Sequence, residues 1–187
     1  LHVRSRRQRQ MCIRDRYNLL YDGLGWERPH YIHLQPIMRD ATHKLSKRYG
    51  DASYEDFIKK GFLKEAIVNY IALLGWSGKD NVEKFTLAEL VDKFDLSGVS
   101  HSPSIFDEAK MRYINSLYVK EMSEQEFHDY ACKFYGNYPY LLGMDLTLLS
   151  SLLHGRTEVF CDIGPLTEFL TKFDGYDPVS YTHLRAH

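Results

Sequence analysis

Apolar residues recur every three or four positions over most of the chain, and this spacing predicts helices rather than strands. One such segment follows Ser53 and ends at Gly61, and the next carries its apolar face from Leu63 to Leu74 and stops at Gly75. Further helix starts are marked by side chains that can cap a first turn: Thr86, Asp107 and Ser123. We expect the aromatic and aliphatic residues of these stripes to form the core.

The pattern changes on both sides of this helical region. Residues 17–24 predict the last turns of a helix that Gly25 closes, and residues 31–38 alternate loosely around a proline, as in an edge strand or an extended segment. Residues 39–49 are polar and basic without a period, which indicates a loop. Two further helices are predicted towards the C-terminus, a buried one over residues 146–153 and one that opens at Gly164-Pro165.

The composition is that of a folded protein: 44% of the 187 residues are hydrophobic and 26% are charged. No apolar run approaches the ~20 residues that a membrane-spanning helix needs, so no membrane protein is expected. Three widely spaced cysteines without a Cys-x-x-Cys pair favour a reducing compartment, which we interpret as the cytoplasm, over a disulfide framework. The pair His30-x-x-His33 has no further ligand at suitable spacing, so no metal site is predicted.

Both ends of the chain differ from the rest. Residues 1–16 hold six arginines against one aspartate, without apolar periodicity, and both ends resemble translated sequencing adaptors. We predict that residues 1–16 and 180–187 are artefacts, with a basic RNA-binding arm as the alternative for the first segment, and exclude them from the fold. Because Leu1 stands where a start methionine would, an incomplete chain is expected. The net charge of −1 leaves the interior acidic, so nucleic acid would have to bind local basic patches.

The most informative residues form a cluster of cations, Lys44-Leu45-Ser46-Lys47-Arg48, followed by Tyr49-Gly50. Ammonium and guanidinium groups neutralise phosphate oxygens, the serine hydroxyl adds a donor, and the glycine gives the loop conformational freedom. The pentapeptide alone fits either an oligophosphate site or a solvated basic loop, since a K-x-S-K match is common by chance.

The flanks of this cluster resemble bacterial glutamyl-tRNA synthetases. The family's sequence before its KMSKS loop resembles this chain's LLYDGLGWERPHYIHLQPIM. The family's sequence after that loop resembles this chain's DASYEDFIKKGFLKEAIVNYIALLGWS. The end of the family's stem-contact region resembles FTLAELVDKFDLSGVSHSPSIFDEAKMRYIN, and helices of its anticodon-binding half resemble LLSSLLHGRTEVFCDIGPLTEFL. The resemblance covers residues 17–179 in one register. One departure is Tyr113, where the family commonly has tryptophan, and we interpret it as a conservative packing change.

The resemblance implies a mainly α-helical chain. Residues 17–50 would be the end of a Rossmann-type α/β catalytic domain, with one or two short strands and the KMSKS-type loop. Residues 51–120 would be a helical stem-contact region, and residues 121–179 the start of a helical anticodon-binding domain.

The resemblance also implies an enzyme, glutamate–tRNA ligase, which activates glutamate with ATP and transfers it to the 3′ end of tRNA(Glu). Its partners would be tRNA(Glu), ATP and glutamate, and a monomer is expected. Lys44, Ser46, Lys47 and Arg48 would bind ATP, with Mg²⁺ as its counterion, and Lys47 would be catalytic by stabilising the departing pyrophosphate. The family's HIGH-type motif and glutamate pocket have no counterpart in this sequence, so this chain alone is expected to be inactive.

Two alternatives stay open at the level of sequence. Glutaminyl-tRNA synthetase shares the loop type but carries β-barrels in its anticodon region, whereas the residues after Lys120 predict helices. A non-catalytic helical RNA-binding module could use the same cations to dock on a phosphate backbone, and dependence on nucleotide would distinguish it from the enzyme. A purely structural helical protein would leave the crowded cations unexplained.

Overall fold

The structure is a computed structural model that describes residues 6–32, 34–46, 53–78 and 82–171. The chain divides into two compact units, Leu1–His33 and Leu34–His187. Helices dominate, so the prediction of a mainly α-helical chain is confirmed. Strand pairing in the described ranges is limited to isolated bridges, and the one or two short strands predicted for residues 17–50 are therefore wrong as elements. None of the helices in those ranges is long and apolar enough to cross a bilayer.

The first unit contains helix α1, Arg6–Gly23. Its end matches the prediction, because Gly25 adopts the left-handed conformation (φ 67°) and the Trp26 amide donates to the Tyr21 carbonyl at 2.8 Å. The chain after the turn is tied back to the helix, since Arg28 donates to Asp22 at 2.7 Å. The helix begins earlier than residue 17, inside the segment that we predicted to be foreign. The origin of that segment stays a prediction.

The second unit contains seven α-helices within its described residues. They are α2 Tyr54–Lys60, α3 Lys64–Gly75, α4 Leu87–Lys93, α5 Glu108–Val119, α6 Glu124–Tyr135, α7 Leu146–His154 and α8 Ile163–Thr167. Short 3₁₀ turns lie between or after them at Leu96–Gly98, Pro139–Leu141, Phe160–Asp162 and Glu168–Leu170.

The predicted helix starts are confirmed, because each depends on hydrogen bonds between residues close in sequence. Asp107 accepts from the Lys110 amide at 3.1 Å, and Thr86 and Ser123 each accept at 3.2 Å from the amide of a glutamate three residues on. The carboxylates of these two glutamates in turn accept hydrogen bonds from the backbone amides of Thr86 and Ser123, and these bonds lower the pKa of each carboxyl. The last helix opens at Ile163, one residue before the predicted Gly164.

A glycine at the end of α2 allows the C-terminal helices to pack closely against this helix. Gly61 ends α2 in the left-handed conformation (φ 90°), and a Cβ at this position would lie 2.6 Å from the Phe160 Cβ and 2.8 Å from the Phe134 ring. No other residue type satisfies both the backbone angle and the space. The tight turn therefore lets α6 and the Phe160–Asp162 turn pack directly on the end of α2.

One core cluster extends from α2 to α8, and its largest fully buried members are Ile67, Met111, Ile114, Val119, Phe127, Tyr135, Leu141, Val159, Phe160 and Ile163. It crosses the predicted boundary at residue 120 without interruption, although that boundary itself stays a prediction. A smaller cluster consists of Trp76, Phe85 and Leu90.

Several core assignments from periodicity are wrong. Leu87, Val91 and Phe94 are 66%, 74% and 50% exposed, because α4 has only seven residues and contributes Leu90 alone to the smaller cluster. Ile71 is also exposed, and α7 is amphipathic instead of buried. Leu153 is buried, whereas Leu148 and Leu152 are exposed. Periodicity shows which side of a helix is apolar, but it does not show whether another element covers that side. Tyr113 is likewise 48% exposed, with the Lys110 ammonium 5.1 Å from its ring centre.

Asn115 connects three elements from inside the core. Its side chain is fully buried on α5; its oxygen accepts from the Leu63 amide at 2.8 Å, and its amide donates to the Glu158 carbonyl at 2.5 Å. Arg112, one turn earlier, donates to Glu158 and Asp162 at 3.0 and 2.6 Å, and the Asp162 bond is the main cause of the raised pKa of Arg112. Helix α5 therefore binds both the start of α3 and the segment before α8.

We predict that Asn115→Ala lowers the free energy of unfolding by about 2–4 kcal/mol, because it leaves a buried amide and a buried carbonyl without partners. Urea unfolding monitored by circular dichroism measures this loss. The matched control is Asn137→Ala, at an exposed asparagine, for which a change within about 0.5 kcal/mol is expected. Equal effects of the two substitutions would contradict the assigned role of Asn115.

Candidate functional site

The described part of the cationic cluster lies at the end of a small hairpin. The Leu45 amide donates to the Ile37 carbonyl at 3.1 Å and the Arg39 amide to the His43 carbonyl at 2.8 Å, so that Met38 and Lys44 form an antiparallel bridge. Residues 37–45 thus double back on themselves, and the predicted loop has a defined base.

A single carboxylate closes the turn of this hairpin. Asp40 Oδ1 accepts from the amides of Thr42 and His43, both at 2.8 Å, and from the Thr42 hydroxyl at 2.9 Å. The His43 ring nitrogen Nδ1 lies 2.9 Å from the same oxygen. These donors, the Thr42 amide first, hold the pKa of the Asp40 carboxyl well below its usual range. Asp40 therefore stays ionised at neutral pH and fixes the backbone from which Lys44 emerges.

The hairpin is attached to the helical body through backbone hydrogen bonds. The Met38 amide donates to the Ser104 carbonyl and the Phe106 amide donates to the Met38 carbonyl, both at 2.8 Å, which forms a parallel bridge with Ile105. The Ser104 hydroxyl in turn donates to the Leu74 carbonyl near the end of α3.

The segment that receives the hairpin is itself fixed at the start of α5. The Asp107 amide donates to the Tyr70 hydroxyl at 2.7 Å, and that hydroxyl donates to the Asp107 carbonyl at 2.8 Å. Burial raises the pKa of Tyr70, which keeps its hydroxyl proton in place. The base of the loop therefore rests on α3 and on the start of α5, two helices that contribute to the main core cluster.

The structure describes two of the four predicted site residues. Lys44 is exposed at the hairpin bridge and Ser46 is half-buried two residues later, so both lie on the same short segment. Lys47 and Arg48 lie outside the described residues. Within the described ranges no group of three or more histidine, cysteine or acidic side chains could hold a metal ion.

Exposed basic side chains lie at the described end of the loop. Arg39 and His43 on the turn are exposed, as is Lys44 at the bridge, and Asp40 faces two of them, with its carboxylate 3.7 Å from the Arg39 guanidinium. A short segment on a fixed base that projects cations into solvent can contact an anionic phosphate chain.

Sequence reasoning missed the residues that position the loop. The Asp40-x-Thr42 pattern is a recognisable turn signal, because a short carboxylate accepts backbone amides two and three residues on. The pairing of Met38 with residues 104–106 left no sequence signal, since it joins segments more than 60 positions apart through backbone atoms alone.

Comparison with known proteins gives the family. The family model described as class I tRNA synthetases (E and Q), catalytic domain, matches residues 10–113, more than half of the chain. The chain belongs to this family. The letters E and Q stand for glutamate and glutamine, and the matched range contains most of α1, the hairpin and helices α2 to α4 together with the first half of α5.

Curated relatives within this class I synthetase family are much longer than the chain. Glutamate–tRNA ligases of Clostridium botulinum (strain Eklund 17B) and Clostridium novyi are 47% and 48% identical over 170 and 173 residues, which is 91% of this chain in each case. The aligned residues make up 35% and 36% of those two proteins, so the chain spans about a third of their length.

Solved structures agree with the family. A crystal structure of the glutamate–tRNA synthetase of Elizabethkingia anophelis superimposes with a TM-score of 0.74 at 26% identity, covering 88% of this chain and 37% of the other. A glutamate–tRNA ligase of Elizabethkingia meningosepticum, solved with its amino acid, gives a TM-score of 0.71. The family match begins at residue 10, which overlaps the end of the segment predicted to be foreign.

The hairpin generates a prediction about backbone protection. Asp40→Ala removes the common acceptor of the Thr42 and His43 amides, so their hydrogen-exchange protection factors should fall about three- to tenfold. The contribution of Asp40 is present above the ordinary aspartate pKa and disappears only as the pH falls through the lowered value. In the unsubstituted chain, protection should therefore persist down through about pH 3.9, the ordinary value.

Exchange measured by NMR in the same chain tests this expectation. Asp92→Ala, at an exposed aspartate of α4, is the matched control and should leave both amides unchanged. Full protection of Thr42 and His43 in Asp40→Ala would show that the carboxylate does not hold the turn.

Proposed function

We propose that this chain is part of a glutamate–tRNA ligase and carries the loop that contacts the phosphates of ATP. The observation that supports this most strongly is the 47–48% identity to two proteins of that name along 91% of the chain. The exposed Lys44 on a hairpin with a fixed base is consistent with it. The reaction has two steps: glutamate attacks the α-phosphorus of ATP, and the activated acyl group then passes to the 3′ end of tRNA(Glu).

Lys47 would act in the first step. As the bond from the α-phosphorus to the leaving pyrophosphate breaks, negative charge accumulates on the departing oxygens. An ammonium group held there stabilises the transition state more than the ground state, and this difference accelerates the reaction. Lys44 lies three residues earlier, at the bridge that fixes the backbone of the hairpin. Only a short segment therefore separates Lys47 from a residue whose backbone is held in place.

The neighbouring residues would complete the contact with ATP. Lys44 and Arg48 add positive charge along the phosphate chain, and the Ser46 hydroxyl can donate a hydrogen bond to a phosphate oxygen. Mg²⁺ would enter with the nucleotide as its counterion. The glutamate pocket would be formed by other residues of the whole enzyme, outside this chain.

The helices after the hairpin fit a tRNA-binding role. We assign residues 17–50 to the end of a Rossmann-type catalytic domain, residues 51–120 to the stem-contact region and residues 121–179 to the start of the anticodon-binding domain. Asn115 and Arg112 would then join the last two regions through the segment at Glu158, so that they move as one body. A monomer in the cytoplasm remains the expectation for the whole enzyme.

Glutaminyl-tRNA synthetase is the second candidate, since the family covers both amino acids. Two observations favour the glutamate enzyme: the names of the clostridial relatives, and the helices that occupy the described residues after Lys120, where the glutamine enzyme is expected to have β-barrels. A non-catalytic RNA-binding module would differ from both enzymes in its independence of nucleotide.

We predict that Lys47→Ala in the complete synthetase lowers the rate of ATP–pyrophosphate exchange about 10² to 10³-fold, the usual effect of removing one transition-state donor. Exchange of labelled pyrophosphate into ATP in the presence of glutamate measures this step. Lys59→Ala is the matched control, because Lys59 is an exposed lysine of α2 outside the loop, and it should leave exchange within about twofold.

A different outcome would indicate a different function. If Lys47→Ala leaves exchange intact but weakens tRNA binding and reduces its salt dependence, the loop positions RNA and the proposed role in catalysis is wrong.

A further inference from the structure

A cysteine and a histidine form a pair on α6, away from the hairpin. Cys132 follows His128 by one helical turn, and its sulfur lies 3.4 Å from the His128 ring nitrogen Nε2. The thiol is exposed, whereas the imidazole is half-buried between α6 and α7. The other ring nitrogen, Nδ1, lies 2.8 Å from the Ser150 hydroxyl on α7. An accessible nucleophile thus has a potential base within hydrogen-bonding distance.

The hydrogen bonds around Ser150 determine which nitrogen of His128 carries the proton. The Ser150 hydroxyl donates its only hydrogen to the Leu146 carbonyl at 2.8 Å. Its oxygen can therefore only accept from the Tyr135 hydroxyl, also at 2.8 Å, and from His128 Nδ1. Burial raises the pKa of Tyr135, which keeps that hydroxyl protonated as a donor. Neutral His128 consequently has its hydrogen on Nδ1 and its lone pair on Nε2, directed at the Cys132 sulfur.

Two charged neighbours on this helical surface, Asp129 and Lys133, have partners of their own. Gln125 donates to Asp129 at 2.9 Å, and the Lys133 ammonium lies 4.2 Å from the centre of the Tyr130 ring. Among these neighbours, the imidazole is the group that can take the thiol proton.

We propose that Cys132 is a site of thiol–disulfide exchange, at which His128 acts as the base and a low-molecular-weight disulfide is the co-reactant. The thiol proton passes to His128 Nε2 as the sulfur attacks one sulfur of the disulfide. The new sulfur–sulfur bond forms while the old one breaks, and the departing thiolate takes the proton from the imidazolium. The products are a mixed disulfide at Cys132 and one small thiol, so no additional oxidant is required.

Cys161 provides a comparison within the same chain. Its thiol is half-buried beside Asp162, with 4.0 Å between its sulfur and the carboxylate Oδ1. Burial, followed by the Asp162 charge, raises the pKa of the Cys161 thiol. Since the thiolate is the attacking species, Cys161 should react slowly where Cys132 reacts fast.

The test uses the full 187-residue chain with Cys12→Ser, so that two thiols remain, and the uncharged probe 4,4′-dithiodipyridine at neutral pH. Absorbance of the released thiopyridone gives the rates, and peptide mass spectrometry assigns each rate to a cysteine. Cys132 should react at least about tenfold faster than Cys161 and at least about tenfold faster than Cys132 in the urea-unfolded chain. Cys132→Ser should remove the fast phase.

The role of the base is tested by His128→Asn, because the asparagine amide can still donate to Ser150 but offers no basic nitrogen. The rate at Cys132 should fall about tenfold, while circular dichroism shows the helices intact. His101→Asn, at an exposed histidine, is the matched control and should leave the rate unchanged.

Three results would overturn the proposal: an unchanged rate in folded His128→Asn, equal rates at the two cysteines, or an equal rate at Cys132 in the folded and unfolded chain. The last comparison needs no histidine variant and decides the question even if His128→Asn does not fold.

Discussion

The cationic loop depends on one backbone contact, in which Met38 exchanges hydrogen bonds with the segment around Ile105. This contact attaches a hairpin of few residues to a helical body in which one core cluster extends from α2 to α8. The segment around Ile105 is held by the hydrogen bonds between Tyr70 and Asp107. It leads directly into α5, and Asn115 connects α5 to the start of α3. Lys44, which we propose to contact phosphate, thus takes its backbone position from hydrogen bonds to the packed helices, and a loop held in this way can present charge with little loss of order.

Much of this fold could be predicted from the sequence, because the signals are local. Thr86, Asp107 and Ser123 cap helices through hydrogen bonds to residues three positions on, and such bonds can be inferred from residue types and spacing. Burial could not be predicted as well. Leu87 and Val91 have the spacing of a core face but remain exposed, because burial also requires a second element opposite.

The candidate site likewise has one part that local sequence signals address and another part that they do not. Its phosphate chemistry stays a prediction, which is based on clustered lysines beside a serine and on flanks that resemble a known family. The contacts that hold the hairpin in place could not be predicted, because the bridge of Met38 with Ile105 joins residues distant in sequence. The tautomer of His128 similarly depends on a hydroxyl from the following helix. Long-range contacts between backbone atoms leave no residue-type signature.

The most direct measurement compares Met38→Pro with Met38→Ala in the complete synthetase, with ATP–pyrophosphate exchange as the readout. Proline removes the amide that donates to Ser104, whereas alanine keeps it, and both retain every cation of the loop. If attachment of the hairpin positions the cations, exchange should fall up to about 100-fold in the proline variant and stay near normal in the alanine variant, with the helical circular dichroism of both preserved. Equal exchange in the two variants would contradict the account.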